Sequence, residues 1–420
     1  MKTLKLLFLT FLSVHCSSLF SGGACLYEIA DDDVRLASAG WAARARDAST
    51  TFTNPAGLTR LQCRQIMIGA QPLYNTIEFK SSADTTISGT NGFANAWLPA
   101  GNMFFAMPLN GCFTLGLGGC GYFGSSLKYG NKWVGRYYCT SALLMGLSGI
   151  CSIGYKVTDK FSIGIGSNVM YGFFKDEAAI NNTLDALPDG AFKLKKNTWG
   201  AGYIIGVLYE FNPCTRLGFQ YLSQVRLKFK CTPHFSGVGP TLESYLTDFG
   251  LLNSNINVVV KVPQQAMLSF YHDLTEQFTI MADLGWQQWS HFNRVDIYLA
   301  NDTNTKLTAA VKYQDTFHIA AGVEYIYSPS LTFSTGAAYD SSAISAKNRT
   351  FTFPVGKQWR IGTGIEYTLL DNFEFSLGYE ILLSPNLSDN QSAGTLLGHI
   401  DGFFRKPHSQ FIELCAKWSF

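Results

Sequence analysis

At 420 residues the chain is long enough for two or three ordinary domains or for one large all-β body. Its 40 glycines, 20 tyrosines and 32 phenylalanines, with only 15% charged residues, favour many short strands and tight turns over helices with solvated faces. Setting aside Lys2 and Lys5 of the N-terminal leader, the 32 basic residues fall to 30 against 30 acidic ones, a near-neutral balance without the electrostatic footprint of a nucleic-acid-binding protein.

Residues 1–24 predict an export signal that is absent from the mature chain. Lys2 and Lys5 form a positive start, "LLFLTFLSV" a short apolar core, and "SGGA" a small-residue cleavage site. Neither Cys16 nor Cys25 has the upstream apolar residue that a lipoprotein signal requires. Residues 25–65 hold no convincing strand, so they form either a periplasmic tail or a plug. The stretch "LASAGWAARARDASTTFTNPAGLTRL", rich in Ala, Gly, Thr and Leu, favours the plug.

From residue 66 to 420 no apolar run approaches the roughly 18 residues of a spanning helix, and strict alternation takes its place. In "FSIGIGSNV", Phe161, Ile163 and Ile165 oppose Ser162, Gly164 and Gly166. In "FHIAAGVEYIY", "QWRIGTGIEYTL" and "FEFSLGYEIL" an aromatic and aliphatic face likewise opposes Gly, Ser and scattered charges. A period of two puts each set on one side of a sheet. An apolar face against a small, polar one predicts a closed transmembrane β-barrel, lipid outside and lumen inside.

Candidate strands fall near 66–74, 97–108, 112–124, 143–157, 161–174, 194–211, 215–230, 255–272, 276–298, 308–327, 330–341, 355–369, 373–384 and 408–420, fourteen in all. The joints after even-numbered strands are brief ("LNG", "TDK", "NPC", "DLTEQ", "SPS", "LDN") and those after odd-numbered strands are long, as periplasmic turns and external loops should be. Trp97, Trp133 and Tyr327 are candidates for interfacial girdles. "FIELCAKWSF" closes the chain with Ile412, Leu414, Ala416, Trp418 and Phe420 on one face. That terminal aromatic resembles the signal by which the barrel-assembly machinery recognises outer-membrane barrels. A barrel of fourteen strands encloses more space than its own side chains fill, which leaves room for residues 25–65 inside.

"LYEIADDDVRLASAGWAARARDASTTFTNPAGLTRL" resembles the N-terminal hatch of the FadL/TodX-type outer-membrane transporters of long-chain fatty acids. The Ala-Gly near residue 40, Asp47-Ala48-Ser49 and Asn54-Pro55-Ala56-Gly57-Leu58 carry the match, joined by "DLTEQFTIMADLGWQQWSHFNRVDI" and "YSPSLTFSTGAAYD". The resemblance implies a monomer that moves hydrophobic molecules inward without an energy-coupling partner, set among outer-membrane lipid and lipopolysaccharide. The ligand, a fatty acid or an aromatic hydrocarbon, is captured outside, passes an apolar pocket beside the hatch and leaves through a gap made by an inward kink in the third strand. Here that strand is "CFTLGLGGCGYFG", where Gly116, Gly118, Gly119 and Gly121 either allow the kink or make room for the plug.

The hatch residues Asp47, Asn54, Pro55, Ala56 and Gly57 read either as a latch near that gap or as a structural turn. Pro55 pushes Asn54 out of the helical region, and Gly57 permits backbone geometry that other residues resist. For a ligand carboxylate, Arg226, Lys228 and Lys230 alternate with Val225, Leu227 and Phe229 and are expected to point inward near the external end. Arg294 and Lys261 are further candidates; the alternative for all of them is rim charges facing water or lipopolysaccharide phosphates. With no Cys-x-x-Cys and scattered histidines, no metal site and no cofactor is expected. If cleavage falls before Cys25, nine cysteines remain and cannot all pair. The rivals are a general porin, an adhesin, or a barrel enzyme built on His291 or His318, for which no motif stands.

Overall fold

The computed structural model describes residues 24–248, 252, 255–299, 302–310, 312–352 and 354–420, with the backbone alone for 293–299, 302–310 and 395. The predicted leader lies, apart from Ala24, outside the described residues. Fourteen antiparallel strands close on themselves. In chain order, strand 1 is Gln65–Ala70 with Leu73–Thr76, strand 2 Ala96–Leu98 with Gly101–Pro108, strand 3 Phe113–Lys128, strand 4 Ser141–Lys156, strand 5 Phe161–Ile180, strand 6 Gly190–Asn212 and strand 7 Thr215–Leu222. Strands 8 to 14 are Gln265–Asp273, Phe278–Gln287, Thr316–Ser328, Leu331–Asp340, Gln358–Leu370, Phe373–Leu383 and His408–Ser419. Closure is direct: Gln65–Ala70 pairs with strand 2 on one side and with strand 14 on the other, from Gln65↔Ser419 to Ala70↔Leu414.

The alternation has the expected sense. Phe317, Ile319, Trp359, Ile361, Leu414 and Trp418 are exposed on the outer wall, while His318, Arg360, Glu413 and Lys417 between them are buried inside. Lipid replaces water on the outer face, so the apolar set points away from the protein interior.

Four strands expected to be continuous are each broken where the chain leaves the membrane. Strand 7 stops at Leu222, and Val225–Cys231 belongs to a separate four-stranded sheet with Ile256–Val262, Arg294–Leu299 and Asp302–Ala310. The interruptions are Ser223–Gln224, then Pro263–Gln264, where proline has no N–H to give a ladder, then the 3-10 turn Trp289–Asn293, and then the stretch before Thr316. Above the membrane there is no lipid to cover an apolar face, so each extension must turn that face onto protein. A third sheet runs in the order Leu387–Ser392, His399–Phe404, Glu78–Ser81, Gly92–Phe93. It covers an aromatic core that includes Phe79, Phe351 and Phe404.

Trp133 is in that core and not in a girdle: it is 1% exposed, stacked on Tyr129 at 4.2 Å and bonded through its indole N–H to the Cys139 carbonyl. Trp97 and Tyr327, by contrast, stand exposed on the outer wall. The nine described cysteines are all free.

Candidate ligand cavity and lateral gap

Strand 3 is paired differently on its two edges. Its strand 4 edge is bonded from Phe113↔Tyr155 to Lys128↔Ser141, with a register jump between Cys120 and Phe123, where Gly121 and Tyr122 stand opposite Leu147 alone. That is a β-bulge, which bends the bulged strand and increases its twist. Its strand 2 edge is bonded only from Thr114↔Pro108 to Gly119↔Met103. Beyond Gly119, strand 2 turns to pair with strand 1 through Ala96–Leu98, and the ladder between strands 2 and 3 is open. The start of the hatch occupies that free edge. The Leu26 N–H donates to the Tyr122 carbonyl at 2.8 Å, the Gly124 N–H donates to the Ala24 carbonyl at 2.7 Å, and Cys25 bridges Phe123.

Beside this closure, at the external side of the lumen, is a cavity of about 90 Å³. Leu73, Leu98, Leu127, Leu382 and Phe411 of strands 1, 2, 3, 13 and 14 give it an apolar wall, and Leu26 closes it from the hatch side. Asn75, Ser125, Gln358 and His408 supply polar atoms. On the lipid side of the wall, below the bulge, a shallow depression of about 700 Å³ is lined by residues including Met103, Leu117, Gly119, Gly149 and Val169.

The hatch follows the inner wall and meets strand glycines at several of its closest approaches. A Cβ at Gly362, Gly336, Gly322 or Gly218 would strike Val34, Leu36, Ala39 or Ala42 respectively. Polar ties reinforce the fit. Arg35 bonds Ser334 at 2.6 Å, Arg46 pairs with Glu324 at 2.7 Å, Ser376 donates to Asp31 at 2.6 Å, and Arg216 donates to the Ala43 and Arg44 carbonyls, each at 2.6 Å. The hatch turn at Ala37, Ser38 and Gly40 has φ of 48°, 69° and 80°, and a Cβ at Gly40 would also strike Met281.

Asn54-Pro55-Ala56-Gly57 docks on strands 4, 5 and 6, where Gly154, Gly164 and Gly206 form its seat. Asn54 is extended (φ −166°, ψ 99°), as the following proline demands, and caps the 3-10 helix Pro55–Arg60 by accepting from the Ala56 N–H at 3.1 Å. Its Nδ2 donates to the Ala42 carbonyl at 2.6 Å within the hatch and to the Val207 carbonyl of strand 6 at 3.0 Å. Asp47 accepts from the Ser49 N–H at 2.9 Å and hydroxyl at 2.5 Å, while its other oxygen lies 3.9 Å from Lys417.

A family model described as outer membrane protein transport protein (OMPP1/FadL/TodX) matches residues 12–401. The chain belongs to this family. Among its curated relatives, the long-chain fatty acid transport protein of Escherichia coli O6:H1 is 24% identical over 89% of this chain and 90% of its own length. Outer membrane protein P1 of Haemophilus influenzae is 27% identical over 85% of each. Of solved structures, a Pseudomonas aeruginosa FadL homologue superposes with a TM-score of 0.83 at 18% identity over 94% of this chain and 100% of that one. The P. putida toluene transporter TodX gives 0.66 at 16% identity over 91% and 98%. These structural likenesses establish a shared fold, and the FadL/TodX chain described here is an outer-membrane barrel.

Within this FadL/TodX-type barrel the predicted residues separate into groups. Of the strand 3 glycines, Gly116 faces Thr51 and Leu58 of the hatch and Gly118 faces Phe104, so these two make room, whereas Gly121 is in the bulge and Gly119 is the last paired residue below the opening. Asn-Pro-Ala-Gly is not beside the gap as expected. It docks toward the periplasmic turns of strands 4 to 6, while the gap opens farther up strand 3. Gly57 is not in the left-handed region either, and is small because a Cβ would collide with Thr50 and Ala45.

Arg226, Lys228 and Lys230 do not point inward. They are exposed, and Val225, Leu227 and Phe229 are fully buried. The extension turns its apolar face onto strands 5 and 6, where Gly172 and Gly200 meet Leu227. Lys261 is half-buried opposite Arg226 in the same sheet. The Arg294 side chain lies outside the described residues.

His318 forms a contact that the linear order hides: its Nε2 is 2.9 Å from Ser38 Oγ and its Nδ1 is 2.7 Å from Asp340 Oδ1. The three are almost fully buried, the Ser38 hydroxyl is 2.6 Å from the Ala37 carbonyl, and the Tyr27 ring lies over the imidazole at 4.2 Å. The series joins hatch to wall. Exposed His291 has no part in it. The residues missed from sequence are those of the cavity, Leu26, Asn75, Ser125 and Gln358, because they come together from segments far apart in the chain.

Proposed function

We propose that the protein carries hydrophobic molecules, fatty acids or aromatic hydrocarbons, from the external side into the outer membrane by lateral release. The cavity next to an unpaired stretch of wall carries this reading: among the described residues the start of the hatch, Cys25 and Leu26, closes the opening between strands 2 and 3. A hydrophobic ligand gains nothing from passing onward through water, since each buried methylene is worth about 0.8 kcal/mol. Passage sideways into lipid keeps it covered. Displacement of Leu26 by a ligand breaks its N–H bond to the Tyr122 carbonyl and frees the strand edge, which couples occupancy to opening. Asp47, Asn54, Pro55, Ala56 and Gly57 hold the rest of the hatch against the wall meanwhile. The barrel works as a monomer amid lipid and lipopolysaccharide after insertion by the assembly machinery, and residues 1–24 are its export signal.

Deleting Gly121 leaves Tyr122 alone opposite Leu147 and restores regular register. In cells lacking their own transporter, uptake of labelled oleate and toluene by this variant is expected to fall to the level of empty cells, with folded-barrel migration in gels unchanged. Uptake equal to that of the unaltered protein would overturn lateral release.

A further inference from the structure

We propose that the depression on the lipid face of strands 2 to 5 is an exit groove, a shallow seat for the alkyl chain of the ligand as it leaves the gap and enters the periplasmic leaflet. The proposal rests on the lateral release argued above and names where the ligand goes next.

Apolar surface surrounds the whole barrel, so what sets this patch apart is its hollow. Two successive rows of outward residues form it. Met103, Gly119, Gly149 and Val169 are cross-strand partners from strand 2 to strand 5, and Phe105, Leu117, Cys151 and Ser167 make the row on the periplasmic side of them. In the first row a glycine faces a glycine, flanked by the exposed side chains of Met103 and Val169. Facing glycines forgo cross-strand contact and weaken a ladder, so their presence in the middle of a wall calls for a physical cause.

Elsewhere in the wall the cause is a neighbouring atom. At every other glycine of the described strands an added Cβ would come within 3.1 Å or less of another group, as at Gly336 and Gly362 against the hatch. Gly119, Gly121 and Gly149 are the exceptions. The nearest atom to a Cβ there is the Ser148 carbonyl oxygen at 3.6 Å, Leu147 Cδ2 at 3.6 Å and the Val169 carbonyl oxygen at 4.0 Å respectively, which are ordinary contacts. Nothing within the protein excludes a larger residue at these three positions, and all three are at one place, beside the gap. What their glycines preserve is room on the lipid side, and a strand glycine of that kind marks the close approach of a ligand.

Position names the occupant. Gly119↔Met103 is the last pair before the ladder between strands 2 and 3 opens, so a molecule passing through the gap emerges at the edge of the hollow. Gly119 is six residues beyond Phe113, which at about 3.3 Å per residue and a tilt of about 40° is roughly 15 Å from the periplasmic turn in an apolar band about 25 Å tall. The hollow therefore runs from mid-membrane toward the periplasmic leaflet. Its described lining holds no charged side chain, and Met103, Phe105, Leu117 and Val169 offer an emerging chain apolar contact in place of the contact it gives up inside.

The test adds bulk on the lipid face alone. Gly149→Leu fills the hollow from strand 4, whose two edges are both paired, and Ala337→Leu adds the same side chain at an exposed position of strand 11. In cells lacking their own transporter, Gly149→Leu is expected to lower uptake of labelled oleate about tenfold, the loss of contact with about two methylenes. Gly149→Ala should lower it less, and Ala337→Leu should match the unaltered protein, with folded-barrel migration kept in all three. For a direct readout, the same cells receive a fatty acid carrying a diazirine at mid-chain, and cross-linked peptides are identified after irradiation. Labelling of Met103, Leu117 or Val169 is expected, and is lost in Gly149→Leu and on deletion of Gly121. Normal uptake by Gly149→Leu, with the Gly121 deletion inactive, overturns the groove and leaves lateral release standing; normal uptake by both variants overturns the two together. Should Gly149→Leu fail to fold, absence of fatty-acid label on those three residues in the unaltered protein overturns the groove by itself. A diazirine-bearing phospholipid that labels them undiminished by added oleate marks an ordinary lipid contact and overturns it as well.

Discussion

The amide of Asn54 uses both ends at once: Oδ1 caps Pro55–Arg60, and Nδ2 ties Ala42 of the hatch to Val207 of strand 6. The bonds to Ala42 and Ala56 join buried groups and the bond to Val207 a part-buried one, and a buried carbonyl that loses its donor has no water to replace it. Asn54→Ala is therefore expected to loosen the hatch by about 2–4 kcal/mol without unfolding the barrel, whose ladders it does not enter. The measurement is single-channel conductance in a planar bilayer, where the variant should show openings that the unaltered protein lacks. Identical traces would reduce Asn54 to a turn residue. The residue types at this motif were readable from the sequence; its partners were not. Gly154, Gly164 and Gly206 lie some hundred or more residues away, and their role as a seat is visible only once strands 4 to 6 stand side by side.

At the scale of elements, period-two alternation located every barrel strand, because lipid on one side and hatch on the other hold each side chain to its face. It failed at strands 7 to 10, where alternation continues past the membrane and the surroundings change. Arg226 keeps its place in the pattern, yet the face it shares is now the wet one. The external sheets also carry charge behaviour of their own. Asp389, on Leu387–Ser392, is 1% exposed, accepts from Gln391 Nε2 at 3.0 Å through Oδ1, and has no partner for Oδ2. Burial pushes its carboxyl up to about 8, against about 3.9 in an unfolded chain. Between those values the folded sheet holds a proton that the unfolded one does not, so its stability is greatest at the acid end and falls as pH rises toward about 8. Protease cleavage within residues 385–407 should accordingly be faster at high pH than at mildly acidic pH, and Asp389→Asn should make the profile flat. A variant with the original slope would assign the dependence elsewhere.

For the whole molecule, orientation follows from which joints are short. Cys112 and Cys214 lie in the turns before strands 3 and 7, Cys63 lies just before strand 1, and all three are exposed, while Cys151 is exposed on the outer wall. Short turns belong to the periplasmic side. A membrane-impermeant maleimide should thus label Cys63, Cys112 and Cys214 only after the outer membrane is permeabilised, and Cys151 only in detergent. Labelling of Cys112 on intact cells would invert the barrel.

The linear order of residues determined the class of this protein by itself, because a bilayer leaves few ways to satisfy a backbone, and strands that alternate an apolar with a small, polar face fit a closed barrel. It also marked the hatch, through a segment too apolar for a tail. The tertiary structure alone decided where the wall opens and what lines the cavity. A gap is a missing pairing between strands 2 and 3 whose closure comes from Cys25 and Leu26, and the cavity draws Leu26, Asn75, Ser125, Gln358 and Phe411 from separate parts of the chain. Such features depend on which segments become neighbours, and local periodicity carries no record of that.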